Sequence, residues 1–145
     1  MNEEQVRAAA LELVKRSQVA MVGTLDEDGA PRVVAMIVAE HKGLKTIWFS
    51  TNTSSEHVGQ LENDPRASVY FAEWGTEPWR GLTLGGRMEI LRDRASRERL
   101  WEDSCERYYA EGIDDPDYTV LRFTAKWGKY YQYGTKLRFD VVEEG

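Results

Sequence analysis

The chain has 145 residues, enough for one domain with a core of its own. Nineteen Lys and Arg stand against 25 Asp and Glu, and the net charge of −6 lacks the basic footprint that a nucleic acid partner requires. Hydrophobic residues at 41% and charged residues at 30% place the chain among globular rather than disordered sequences. The one cysteine, Cys105, has no internal disulfide partner, which points to a reducing cytoplasm, and no apolar run reaches membrane-spanning length, so no membrane partner is expected.

Residues 2 to 17 predict a helix: Asn2 caps it, Glu3 and Glu4 open it, Lys15 and Arg16 close it, and Val6, Ala9, Ala10, Leu13 and Val14 form one stripe. Val19 to Leu25 is a strand, and Asp26-Glu27-Asp28-Gly29 a hairpin turn. The next strand, Pro31 to Glu40, is apolar from Val33 to Val38, a run that suits a strand covered on both faces. His41-Lys42-Gly43 turns the chain into a strand over 45 to 50. Asn63-Asp64-Pro65 stops a short helix that carries Val58 and Leu61, and Ala67 to Ala72 is again extended. Residues 73 to 80 form a loop with two tryptophans, followed by a strand over 81 to 91. The pair Gly85-Gly86 inside that strand marks a bulge, a bend or a close approach. Asp93 to Glu111 reads as a second long helix with Leu100, Trp101, Cys105 and Tyr108 on one side, ended by Gly112. The turn Asp114-Asp115-Pro116-Asp117 leads to strands at about 118 to 125, 129 to 133 and 136 to 142. About eight short strands joined by tight turns predict an antiparallel barrel or sandwich. A dinucleotide-binding sheet is excluded by the missing alternation of strands and helices and by the absence of Gly-x-Gly-x-x-Gly.

The chemistry concentrates in Ile47 to Leu61. An apolar strand end, Ile47-Trp48-Phe49, runs into Ser50-Thr51-Asn52-Thr53-Ser54-Ser55 and then into the short helix. Free N–H groups and the positive dipole end at a helix start, ringed by hydroxyls, make a place for a phosphate or carboxylate. Capping by Thr53 or Ser54 is the plainer use of a hydroxyl there, and one cap needs only one. His57 lies within reach of such an anion, with a surface role as the alternative, while His41 sits in a solvated turn. No His/Cys spacing fits a metal, the aspartates after Gly112 fill a turn, and Cys105 has an apolar helical setting. With no acid–base set of its own, five Trp and seven Tyr, the chain suits a planar, phosphorylated cofactor that brings its own reactivity.

Four segments in this order resemble the FMN-binding split-barrel proteins related to pyridoxamine 5'-phosphate oxidase, most of all their general-stress-protein branch. They are Gly29 to Met36, Trp48 to Ser55 with Val58 and Leu61, Asn63 to Ala67, and Gly112 to Asp117 leading to a strand that ends near Trp127. The resemblance spans about Val19 to Asp140 and implies one domain over 1–145. The implied fold is mainly β with flanking helices (α+β): a six-stranded antiparallel split β-barrel working as a homodimer, with FMN sites at the subunit interface. It further implies that Arg32, Val33, Val34, Ala35 and Met36 lie along the isoalloxazine, with Arg32 able to approach the phosphate. Ser50 and Thr51 would lie near the ring and ribityl chain, and Thr53, Ser54, Ser55, His57 and Val58 around the phosphate. Trp79, Leu82 and Trp127 would cover the ring from the partner subunit. Many relatives place Lys, often after Arg, where this chain has Glu56 and His57. The chain also lacks the basic C-terminal set of the vitamin-oxidising enzymes, ending Arg138-Phe139-Asp140-Val141-Val142-Glu143-Glu144-Gly145. The resemblance therefore implies a flavin-dependent oxidoreductase or flavin reductase rather than pyridoxamine 5'-phosphate oxidase itself. The alternatives are a non-catalytic flavin carrier or sensor, or a relative that uses haem or a deazaflavin.

Overall fold

The computed structural model describes residues 1–75 and 79–142. Helix α1 (Glu3–Arg16) starts at a full capping box, in which Asn2 accepts from the Gln5 N–H and the Gln5 side chain accepts from the Asn2 N–H. Its expected stripe holds: Val6, Ala10, Leu13 and Val14 are buried against the barrel. Seven strands follow: β1 (Val19–Leu25), β2 (Pro31–Lys42), β3 (Thr46–Asn52), β4 (Arg66–Glu73), β5 (Arg80–Leu91), β6 (Tyr118–Gln132) and β7 (Thr135–Asp140). Helix α2 (Glu56–Asn63) joins β3 to β4, and α3 (Arg94–Leu100) follows β5.

All neighbours in the sheet are antiparallel, in the order β3-β2-β1-β4-β5-β6-β7. Pairing of β3 with β6 over Thr46–Asn52 and Tyr118–Thr124 closes the first six strands into a barrel, and β7 hangs on β6 outside the closure. This is the mainly-β split barrel with flanking helices. Its interior is filled by Val22, Phe49, Val69, Phe71, Leu82, Leu84, Leu121 and Phe123, all fully buried. A barrel removes sheet edges by closure, at the cost of strong local bending. Gly85-Gly86 supplies part of that bending. The β5–β6 register slips between them, and a Cβ on Gly86 would stand 2.0 Å from the Thr124 carbonyl oxygen, so only glycine fits.

Three expectations are corrected. The segments 118 to 125 and 129 to 133 are one strand, β6, because the bulge opposite Gly85-Gly86 carries the ladder past Lys126 without breaking it. The second long helix ends at Leu100 and continues as two 3₁₀ turns, Asp103–Arg107 and Gly112–Asp114. And β2 is not covered on both faces: Val34, Met36 and Val38 pack inward, while Val33 and Ile37 are 72% and 70% exposed. Part of the two-tryptophan loop, residues 76–78, lies outside the described residues, as do 143–145. Among the described residues, no helix is long and apolar enough to cross a membrane.

Candidate functional site

The barrel is split where β2 and β3 part. Their ladder covers only Val38–Lys42 against Thr46–Phe49, with a register shift between Val38 and Glu40. Before Val38, β2 pairs through Pro31–Ile37 with β1 alone, and beyond Phe49, β3 pairs through Ser50–Asn52 with β6 alone. The facing edges therefore diverge, and the β2 edge from Arg32 to Ile37 carries backbone groups with no strand beside them. Such a free edge is a ready set of N–H donors and C=O acceptors for a ligand.

Two cavities occupy the split. One, of about 410 Å³, runs along Ala35–Ala39 and is faced by Ser50, Thr51 and Asn52 and by the wall after α3, where Cys105, Tyr108 and Tyr109 stand. The other, of about 400 Å³, lies beside Arg32, Val33 and Val34 at the start of α2, with Ser55, Glu56 and Gln60. His57 lines both and so marks where they meet. One end is apolar and aromatic; the other has an arginine and a helix N-terminus.

His57 is half-buried, and its Nε2 lies 2.8 Å from the Thr51 hydroxyl. Burial pushes its pKa below the ordinary histidine range, so the imidazole is neutral at neutral pH. The Tyr109 hydroxyl donates to the Thr51 carbonyl at 3.0 Å, and desolvation pushes its pKa up to about 12, so it stays a donor. Arg32 spans the mouth of the second cavity. Its guanidinium donates to the Glu56 carboxylate at 2.8 Å and lies 3.9 Å from Asp26.

The structure divides the expected site residues. Arg32, Val33, Val34, Ala35, Met36, Ser50, Thr51, Ser55 and His57 all line the split. Thr53 and Ser54 do not. The Thr53 hydroxyl bonds to the Pro116 carbonyl and the Thr119 hydroxyl, and the Ser54 N–H donates to Asp117. Asn52 also donates to Asp117, and Thr53 N–H reaches the Asp117 carbonyl. Much of the polar run is thus spent on docking the turn before β6, and Asp117, held below the usual carboxylate range first by the Asn52 hydrogen bond, is its acceptor. Val58 faces the core, so only its backbone borders the α2 start, and its N–H already bonds to the Ser55 carbonyl. The cap of α2 is Ser55, without a side-chain bond, rather than Thr53 or Ser54. Leu82 is fully buried inside the barrel and presents no surface to a partner. Trp79 stacks between Trp74 and Tyr131, and Trp127 lies against Gly85 under the Arg138 guanidinium. Neither lines the cavities of its own chain.

Cys105 and Tyr108 of this wall were expected on one side of a long helix with Leu100 and Trp101. Tyr108 is instead 71% exposed beside the cavity. The signal for this was present: Asp103 and Ser104 interrupt the apolar spacing with side chains that compete for backbone hydrogen bonds. Asp114, Asp115 and Asp117 serve as turn acceptors and ion-pair partners, Asp114 to Arg94, Asp115 to the N–H groups of Glu111 and Asp117.

Comparison with known proteins bears on family and fold. A family model described as pyridoxamine 5'-phosphate oxidase matches residues 6–132. A pyridoxine/pyridoxamine 5'-phosphate oxidase of Aeromonas hydrophila is 26% identical over 148 residues, covering 85% of this chain, and this chain spans 64% of that enzyme. A Clostridium acetobutylicum protein, described as related to general stress protein 26 of B. subtilis and of the pyridoxinephosphate oxidase family, superposes with a TM-score of 0.86 at 46% identity over 97% of both chains. General stress protein 26 of Bacillus anthracis (TM-score 0.75, 16% identity, 94% of this chain and 99% of that one) shares the fold. So does a heme binding protein of Mycobacterium smegmatis (TM-score 0.75, 20% identity, 97% and 59%). The match over most of the chain and the closed split barrel lead to one conclusion: the chain belongs to the pyridoxamine 5'-phosphate oxidase family, on the side of its general-stress-protein-26-like members.

Proposed function

We propose that the protein binds FMN in the split between β2 and β3 and works as a flavin-dependent oxidoreductase or flavin reductase. The observation that carries this is the pair of cavities joined at His57, apolar and aromatic at one end and arginine-bearing at the other. The residues fit the group. The free β2 edge from Arg32 to Ile37 offers donors and acceptors to the polar rim of a flavin ring. Ala35–Ala39 and the Tyr108–Tyr109 wall give its apolar body surfaces to lie against. Ser55, Arg32 and the first N–H groups of α2 stand where a phosphate would bind. Bound there, FMN would supply hydride or electron transfer. The chain's own work is to orient the ring along β2, exclude water with the tyrosine wall, and hold a neutral His57–Thr51 hydrogen bond between ring end and phosphate end.

We further propose a homodimer. The outward residues of β1 and β2 pair side by side, Val19 with Ile37 and Met21 with Ala35, and build an exposed apolar row beside the split. Trp79 and Trp127 are the side chains this reading assigns to the neighbouring ring when a second copy covers that row. Haem is less well served: one imidazole nitrogen of His57, Nε2, is already engaged by Thr51. A stress-linked role rests on the names of the structural relatives.

The test is to load purified protein with FMN, pass it through gel filtration and record its visible spectrum, then add NADH or NADPH without oxygen. Retained flavin bands that bleach on addition support a flavin oxidoreductase. Retained bands that stay oxidised point to a carrier or sensor, and a colourless protein rejects FMN.

A further inference from the structure

The end of the split that would take a phosphate is electrically balanced. The second cavity is lined by one arginine, one glutamate, the neutral His57 and uncharged residues. Arg32, from β2, and Glu56, the first residue of α2, meet at 2.8 Å, so the guanidinium already has a carboxylate on it. The adjoining surface depression is acidic: Asp26, Glu27, Asp28 and Glu56 surround the same Arg32. A phosphate dianion entering here would meet the dipole of α2 and Ser55, but its only cation would be shared with Glu56. An uncharged ribityl end would meet the same hydroxyl and N–H groups without that competition.

We propose that Glu56 is the specificity-determining residue of this site: by holding Arg32 it removes most of the site's preference for a phosphorylated flavin, so that riboflavin is accepted nearly as well as FMN. This rests on the flavin-binding reading above and adds to it the ligand class at the phosphate end. Lys or Arg at such a position would add a fixed charge to phosphate, whereas Glu takes one away. The Glu56 side chain is 77% exposed, so its effect is screened, and its replacement leaves the core untouched.

Both flavins fluoresce, so dissociation constants for FMN and riboflavin follow from quenching titrations of the full chain and of Glu56→Gln. Glu12→Gln, on α1, serves as a control for net charge. In the native protein FMN should bind less than about tenfold more tightly than riboflavin, as expected where a partly exposed ion pair offsets the phosphate. Glu56→Gln should raise that ratio about three- to tenfold through tighter FMN binding alone, while Glu12→Gln leaves it unchanged. A native preference for FMN of roughly 100-fold or more, or a ratio that Glu56→Gln does not move, overturns the role of Glu56 and leaves the flavin site standing. If neither flavin binds any of the three proteins, the flavin-binding reading itself fails.

Discussion

His57 is the residue at which the two halves of the split meet, and burial there favours its neutral form. It is half-buried beside Thr51, in a cavity that also carries Glu56 and Arg32. Burial lowers its folded pKa below the unfolded value, so near the ordinary histidine pKa the unfolded chain binds more protons than the folded one. Stability of the ligand-free protein should therefore fall as pH drops from about 7 through about 6 toward the lowered folded pKa. In His57→Gln this part of the slope should vanish, as read by denaturant melts at several pH values. An unchanged slope would place the titration elsewhere. Ser50, Thr51, Ser55 and His57 were legible from residue type because they stand where a strand end meets a helix start. Thr53 and Ser54 were not, because their partners, Pro116 and Thr119 for the one and Asp117 for the other, lie more than sixty positions along the chain, and no local pattern encodes that pairing.

The segment after α3 shows how far periodicity reaches at the scale of an element. Leu100, Trp101, Cys105 and Tyr108 satisfy a helical spacing, yet the helix stops at Leu100. Arg97, inside α3, donates to the carbonyls of Ile113, Asp115 and Tyr118 and stacks over the Tyr118 ring, while the Tyr118 hydroxyl returns a bond to the Arg97 carbonyl. These long-range bonds help fold residues 101–117 back over the barrel, where they form the tyrosine wall of the cavity along Ala35–Ala39. The barrel strands were readable because alternation and turn glycines are local; this wall is held by long-range bonds, those of Arg97 among them, and was not. Arg97→Ala should cost about 1–3 kcal/mol in a denaturant melt, since it orphans several carbonyls and removes charge-assisted bonds. It should also speed tryptic cleavage at Arg107, and Arg97→Lys should restore part of the loss. A melt and cleavage rate equal to those of the native chain would mean the wall is held by other contacts.

At the scale of the whole molecule, closure of β3 on β6 leaves an apolar row on the outside of β1 and β2. The run Val33 to Val38 looked like a strand buried on both sides, and the single chain buries only its inner side. Val19 and Met21 belong to the row but do not line the cavities, so Val19→Glu with Met21→Glu tests the row separately. Light scattering after gel filtration should show a dimer for the native chain and a monomer for the double variant. A native monomer at tens of micromolar would contradict the proposed assembly.

The split between β2 and β3 is the proposed flavin site. Its most direct test is an FMN titration, followed by flavin fluorescence, of the native protein and of Ser50→Trp, whose indole would fill the cavity beside Ala35–Ala39. Saturable quenching at one FMN per chain, weakened more than about tenfold in a folded Ser50→Trp protein, is the predicted result. Absence of binding up to high micromolar FMN at both mildly acidic and neutral pH, or equal affinity in Ser50→Trp, would contradict it.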